Sequence, residues 1–290
     1  MRISPGHPCS EADALGLVHT LLRQGLARGT FAVPQLPEVA VRIVASRESA
    51  SAHELADIIK ADTALTGYVL RIAASAPNRP SMPIVSLQHA VAWLGLDEVA
   101  NMAFTLALQR KMLDVPGHQP KARRLWRHSL ASALWSRQLA LVLERETGLC
   151  YLCGLLHDIG RGVTLRAAHD LARWSGVSLS AAQYDRLLEA CHRDVAACVV
   201  RSWEMPAQVV AVAACPQASA DCGSACFERS IVDAAHRLAD CTIEASALPT
   251  KGSLAGDAPY RDLGLCAERA ATLLGSARTL NAELDRYLAP

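Results

Sequence analysis

Aromatic side chains are scarce in this chain of 290 residues: Phe, Trp and Tyr together make up 4% of it. Large β-forming residues are therefore few. Ala, Leu and Val dominate an apolar fraction of 51%, a mixture that favours close-packed helices over sheets. An excess of charge of either sign is also lacking. Lys and Arg number 29 against 28 Asp and Glu, a net charge of +1, so there is no global electrostatic footprint for nucleic acid or an anionic membrane. The shortage of aromatics removes base-stacking platforms as well. No apolar run approaches the roughly 18 residues of a membrane span; Gln208 to Cys215, among the most apolar stretches, has the length of a core helix. Met1 to Ser10 holds Pro5, Gly6 and Pro8 without an apolar run, unlike a secretory signal. These absences point to a cytoplasmic protein with neither nucleic acid nor membrane as a partner.

Ten cysteines are present. Cys150 and Cys153 form a C-x-x-C pair, and Cys215, Cys222 and Cys226 a looser group without the second tight pair that a thiolate metal site requires. The βαβ context of a thioredoxin-like motif is missing around Cys150. Reduced, buried thiols acting as small hydrophobes are the expectation.

The chain shows no internal repeat, low-complexity tract or long charge run. Leu15 to Gly29 reads as a first helix, and a second is expected from about Glu38 to Arg47 after the extended Val33-Pro34-Gln35-Leu36-Pro37. Ser51-Ala52-His53-Glu54 is a capping box for a helix ending at Lys60. Leu65, Tyr68, Val69 and Ile72 fall on one helical stripe that Pro77 and Pro80 should end; Leu87, Ala90, Val91 and Leu94 fall on another. Gly95 separates that from a longer helix over about Asp97 to Met112. The turn-rich Val115 to Pro120 marks a boundary between two helical lobes. Beyond it, Lys121, Arg123, Arg124 and Arg127 make a short basic stretch that reads as a solvated helix face. Trp126 to about Glu146 and Cys150 to Ile159 read as helices, followed by a linker. Ser180-Ala181-Ala182-Gln183 is a second capping box, for a helix through Glu189. His192 follows, then a helix to Trp203, and Pro206 opens the next. Pro249 to Pro259 reads as a loop, and Leu263 to Leu288 as a last amphipathic stretch whose leucines cap the core.

Chemistry concentrates in Gly154-Leu155-Leu156-His157-Asp158-Ile159-Gly160. A neutral imidazole and a carboxylate are good ligands for a divalent cation. Neighbours on a helix diverge by roughly 100°, so other helices must supply the remaining ligands. His128, His192 and His236 are the candidates.

Leu36-Pro37, Leu55-x-x-Ile58-Ile59-x-x-Asp62-x-x-Leu65, Val69-Leu70-Arg71 and Ala90-x-x-Trp93-Leu94-Gly95, followed by Trp126-x-His128-Ser129, His157-Asp158 and Trp203-x-x-Pro206, resemble the HDOD domain family. These are helical signalling modules related to the HD metal-dependent phosphohydrolases. The resemblance spans about residues 35–240 and departs from the family pattern at Thr63 and at Ala74-Ser75. It implies an all-α, two-lobed helical bundle: a tail over residues 1–14, an N-terminal lobe over 15–115, and an HD-like lobe over 116–290. It also implies His128, His157, Asp158 and His236 as site positions, with Asp233 and Asp240 close to the last of them. A dinuclear HD phosphodiesterase would carry a His pair where this chain has Ala213-Ala214. What remains, His128, His157, Asp158, His192 and His236, suits one divalent transition metal, a metal-free polar cluster, or a single-metal hydrolase. With the His pair gone, the expectation is a non-catalytic regulatory module, without a required cofactor, whose partners are signalling proteins. The alternative is a metal-dependent phosphohydrolase.

Overall fold

A computed structural model describes residues 11–46, 51–74, 84–214, 226–244 and 248–288, and every regular element among them is an α-helix. The N-terminal half comprises α1 (Glu11–Ala27), α2 (Glu38–Ser46), α3 (Ala52–Lys60), α4 (Thr63–Ala74), α5 (Leu87–Leu94) and α6 (Leu96–Leu113). After the turn at residues 115–118 come α7 (Gln119–Val142), α8 (Thr147–Leu156), α9 (Ile159–Ser175), α10 (Ala181–Ser202) and α11 (Ala207–Ala214). The chain ends in α12 (Cys226–Ile243), α13 (Lys251–Gly256), α14 (Ala258–Asp262), α15 (Ala267–Gly275) and α16 (Ala277–Leu288).

Local chemistry sets several boundaries as expected. The hydroxyl of Ser51 accepts from the Glu54 amide while the Glu54 carboxylate accepts from the Ser51 amide, and Ser180 and Gln183 repeat the exchange at α10. Gly95 separates α5 from α6 with φ at +88°, a value open to glycine and strained for other residues. The expected stop at Pro77 and Pro80 lies outside the described residues.

Four expectations are corrected. α7 begins at Gln119, seven residues before Trp126, and carries the basic stretch on its first two turns. The linker before Ser180 is the 17-residue helix α9, closed by Gly176 in the left-handed conformation. His192 does not separate two helices, because α10 runs unbroken through it. The loop expected from Pro249 contains α13 and α14, and the last stretch is two helices, α15 and α16.

One apolar core runs through both halves. α2 to α6 pack on one another, and α7 packs on α8, α12 and α16. α1 lies apart from its sequence neighbours and packs on α9 and α10. The helix that joins the halves is α6, buried on every side from Val99 to Leu108. A helix buried all round belongs at the centre of a fold, and α6 contacts both α7 and α8. Cys150, Cys153 and Cys191 are free and buried, in keeping with the packing role.

Candidate metal centre

His157 and Asp158 do not lie within a helix. α8 ends at Leu156, His157 is its C-cap, and Asp158 occupies the residue before α9 with φ −113° and ψ 16°. The sequence reading had one helix delivering both, with side chains diverging. The bend between α8 and α9 lets both face one point instead. No proline or left-handed residue makes this bend. Its cause is packing at each end of the heptapeptide. A Cβ on Gly154 would lie 2.5 Å from Ser136 Oγ and 2.7 Å from the Ser132 carbonyl oxygen of α7. One on Gly160 would lie 1.8 Å from the His192 carbonyl oxygen of α10. Only glycine permits these two approaches.

Two helices and the bend bring four side chains together. His128 from α7, His157, Asp158 and His236 from α12 each offer a ligand atom, all within 4.8 Å of one another. The Nδ1–H of His157 donates to the Gly154 carbonyl at 2.7 Å, which aims Nε2 into the group. This backbone anchoring is the arrangement that fixes the ring of a metal-binding histidine. His157 Nε2 lies 3.1 Å from His236 Nδ1 and 4.0 Å from Asp158 Oδ2. Bonds of about 2.0–2.1 Å to one tetrahedral ion place its ligand atoms roughly 3.3 Å apart, so the first distance already suits a shared ion and the second needs a small contraction. Three imidazole nitrogens and one carboxylate oxygen fit zinc or another divalent transition metal.

His192 stands outside this group of four. Its Nδ1 is 2.8 Å from the Leu188 carbonyl of its own helix. A residue the sequence had placed only nearby, Asp240, supports the group: its Oδ1 accepts from His128 Nε2 at 3.0 Å, and its Oδ2 is 3.6 Å from His236 Nε2. The signal was available in sequence, since Asp240 stands four residues after His236 and shares its helix face.

Burial pushes the His157 imidazole down to about 3, with His236 and His128 adding to the effect against the opposing pull of Asp158. Burial lowers His236 too. For Asp158 burial acts upward, but the His157 imidazole and the Arg161 guanidinium beside it hold it below the usual carboxylate range. The hydrogen bond from His128 lowers Asp240. The surroundings thus favour neutral imidazoles at His157 and His236 and ionised carboxylates at Asp158 and Asp240, the states in which such groups bind metal.

Arg161 closes one side. Its Nε is 3.0 Å from Asp158 Oδ2, and its other arm is 2.6 Å from Glu189 Oε1. A cavity of about 380 Å³ opens over His128, Asp158, His236 and Asp240, and Arg161, Lys121 and Arg124 also line it. Ala213, where the sequence lacks a histidine, is buried in the core, and Cys215 and Pro216 after it lie outside the described residues.

The profile of the HDOD domain matches residues 33–219. No curated protein matches the chain by sequence. Among solved structures, one from Shewanella amazonensis SB2B, provisionally described as a metal-dependent phosphohydrolase, superimposes with a TM-score of 0.68 at 19% identity, covering 93% of this chain and 99% of that one. An HDOD domain protein of unknown function from Geobacter sulfurreducens gives 0.65 at 22% identity, over 95% of this chain and 100% of that one. A third, from Marinobacter aquaeolei VT8 and provisionally described as a signal transduction protein, gives 0.60 at 22% identity, covering 96% of this chain and 66% of that one. At such identities the likeness is one of fold. The family rests on the profile, which spans well over half the sequence and takes in His128, His157 and Asp158: this chain belongs to the HDOD family.

Proposed function

We propose that the chain is a non-catalytic regulatory HDOD module that acts through contacts with signalling proteins, and that its histidine cluster holds at most one divalent transition metal. The observation that carries this reading is the ion pair between Arg161 and Asp158. Two-metal phosphoryl chemistry places attacking and leaving oxygens between two cations, which a bridging carboxylate holds close together. Asp158 is the one carboxylate among the four converging ligands, and the Arg161 guanidinium already stands against its Oδ2, the oxygen that faces His157. A second dication there would face Arg161 at close range. His128, His157, Asp158 and His236 would hold the single ion, which when bound would supply a Lewis acid. The residues around it orient those ligands through Gly154 and Asp240. Exposed Trp174 and Trp93 provide apolar surface of the kind that protein contacts use. Among the described residues no helix is long and apolar enough to cross a membrane.

The single-metal phosphohydrolase is the second reading, favoured by the open cavity over the cluster and by the cations lining it. The test is direct. Purified protein supplied with Mn, Fe or Mg is expected to hydrolyse neither phosphodiesters nor phosphomonoesters, and elemental analysis after reconstitution with Zn, Mn or Fe to give no more than one equivalent. Turnover that disappears in His157→Ala, or two equivalents of bound metal, overturns the proposal.

A further inference from the structure

The arginines of the basic stretch at the start of α7 are exposed, and they border a groove. Arg123, Arg124 and Arg127 line a groove of about 860 Å³ between the two halves of the molecule, and Tyr68 of α4 and Gln109 of α6 line it from the N-terminal half. Its volume is within the range of roughly 300–1,000 Å³ typical of small-molecule sites.

Charge is the first indication of what fits. Arg127 is 3.8 Å from Asp285, but Arg123 and Arg124 are exposed and have no ion-pair partner among the described residues. Outside the lining, the Arg71 guanidinium lies 4.5 Å from the centroid of the Tyr68 ring. Glu244 is the one acidic residue in the lining. The groove is therefore cationic in a protein whose net charge is only +1.

A second indication is independent of charge. The side-chain oxygen of Gln109 is buried and has no hydrogen-bond partner among the described residues. A buried acceptor without a donor costs free energy that a ligand's N–H can recover. The third indication is position. Arg124 and Glu244 also line the cavity over the histidine cluster, so the two spaces share a wall, yet no cluster ligand lines the groove itself.

We propose that this groove binds a nucleotide: its phosphoryl oxygens on Arg123 and Arg124, its ring beside Tyr68, and a ring or exocyclic N–H donated to Gln109. Guanidinium groups match phosphate geometry with paired hydrogen bonds, and two of them, neither in an ion pair among the described residues, are available for it against the single carboxylate of Glu244. The walls belong to α4 and α6 on one side and to α7 on the other, so a bound nucleotide ties the halves together. It stabilises whichever arrangement of them closes the groove, and this makes it a regulatory input. A long nucleic acid is the poorer occupant, because the cations face a walled groove rather than an extended stripe. The inference does not depend on whether the cluster holds metal.

The experiment uses the full chain in the presence of EDTA, which separates this site from the metal centre. Calorimetric titration and thermal unfolding are followed with AMP, GMP, ADP, GDP, the two parent nucleosides, pyrophosphate and a mixed-sequence oligonucleotide. At least one nucleotide is expected to bind and raise the unfolding temperature, with its nucleoside far weaker. Because hydrogen bonds to charged groups are the strong ones, Arg123→Ala/Arg124→Ala should weaken that binding roughly tenfold or more. Tyr68→Ala should weaken the nucleotide while leaving pyrophosphate unaffected. Both arginines are exposed, so the double variant should keep the circular dichroism of the parent; Arg123→Gln/Arg124→Gln replaces it if it does not. Silence from every nucleotide at millimolar concentration overturns the proposal, as does binding undiminished in the arginine variant. Tighter binding of the oligonucleotide than of any mononucleotide overturns it as well, by assigning the arginines to nucleic acid.

Discussion

The ring of His157 is held from two directions, by its own backbone through Gly154 and by His236 at 3.1 Å. Folding removes it from water so fully that its imidazole stays neutral down to about pH 3. This makes the metal-free protein sensitive to acid, and the sign follows from linkage. The unfolded chain takes up a proton on this histidine near the ordinary value of about 6.5, whereas the folded chain refuses it. Stability from this group is complete above about pH 6.5 and is lost as pH falls toward about 3, at roughly 1.4 kcal/mol per pH unit in the steep part of that window. Urea denaturation of EDTA-treated protein at pH 7, 6 and 5 should show that decline. His157→Gln should flatten it, since the variant has no group to titrate at this position. A variant whose stability falls as steeply as the parent's between pH 6.5 and 5 would assign the acid sensitivity to other residues.

Between elements, the heptapeptide around His157 is a packing device as much as a ligand sequence. Gly160 lets α9 meet α10 so closely that an added methyl would lie 1.8 Å from the His192 carbonyl oxygen. Neither backbone can give by that much without reopening the bend that aims Asp158. Gly160→Ala should therefore destabilise by about 3 kcal/mol or more, at or beyond the upper end of ordinary overpacking. Gly162, two residues on in the same helix, is the control. A Cβ there meets only Met112 Sδ at 3.5 Å, so Gly162→Ala should stabilise by about 0.5–1 kcal/mol through helix propensity alone. Equal effects at the two positions, read from denaturation midpoints, would contradict the packing account. The same bend shows what could be read in the sequence and what could not. The capping boxes at Ser51 and Ser180 were legible because their chemistry is completed within four residues. The break after Leu156 was not, because it is made by α7 and α10 pressing on two glycines from elsewhere in the chain. α9 was hidden by its composition: Arg161, Arg166, His169, Asp170 and Arg173 give it the polarity of a linker, while Val163, Leu165, Ala168 and Ala172 carry the buried stripe. Of the candidate ligands, His157 and Asp158 stand out as an adjacent pair, and His128 and His236 follow from the family resemblance. Asp240, expected only close to His236, needed the register of α12 to be placed against His128.

Across the whole molecule, the two halves are joined by α6 and by one buried ionic link. Arg137 of α7 pairs with Glu98 near the start of α6, and at 2.6 Å with Glu283 of α16. The three side chains are 11–21% exposed, and burial raises the Glu98 carboxyl against the opposing pull of the Arg137 guanidinium. The triad therefore fixes how the N-terminal helices sit on the HD-like core more than it adds stability, since desolvation offsets most of what a buried ion pair gains. Removing only the cation is a different matter. Arg137→Met leaves two carboxylates facing each other in a poorly solvated site, and should cost about 3 kcal/mol, the lower end for a broken buried pair because the group retains some exposure. Arg137→Met/Glu98→Gln/Glu283→Gln removes the uncompensated charge as well and should recover most of that loss, which chemical denaturation of the three proteins will read. A triple variant no more stable than Arg137→Met would mean that the arginine's packing, rather than its charge, holds the halves together. If the triple variant recovers stability yet loses the nucleotide response proposed for the groove between α4, α6 and α7, the triad acts on the placing of the two halves, which is the property a regulatory module built on this fold would have to control.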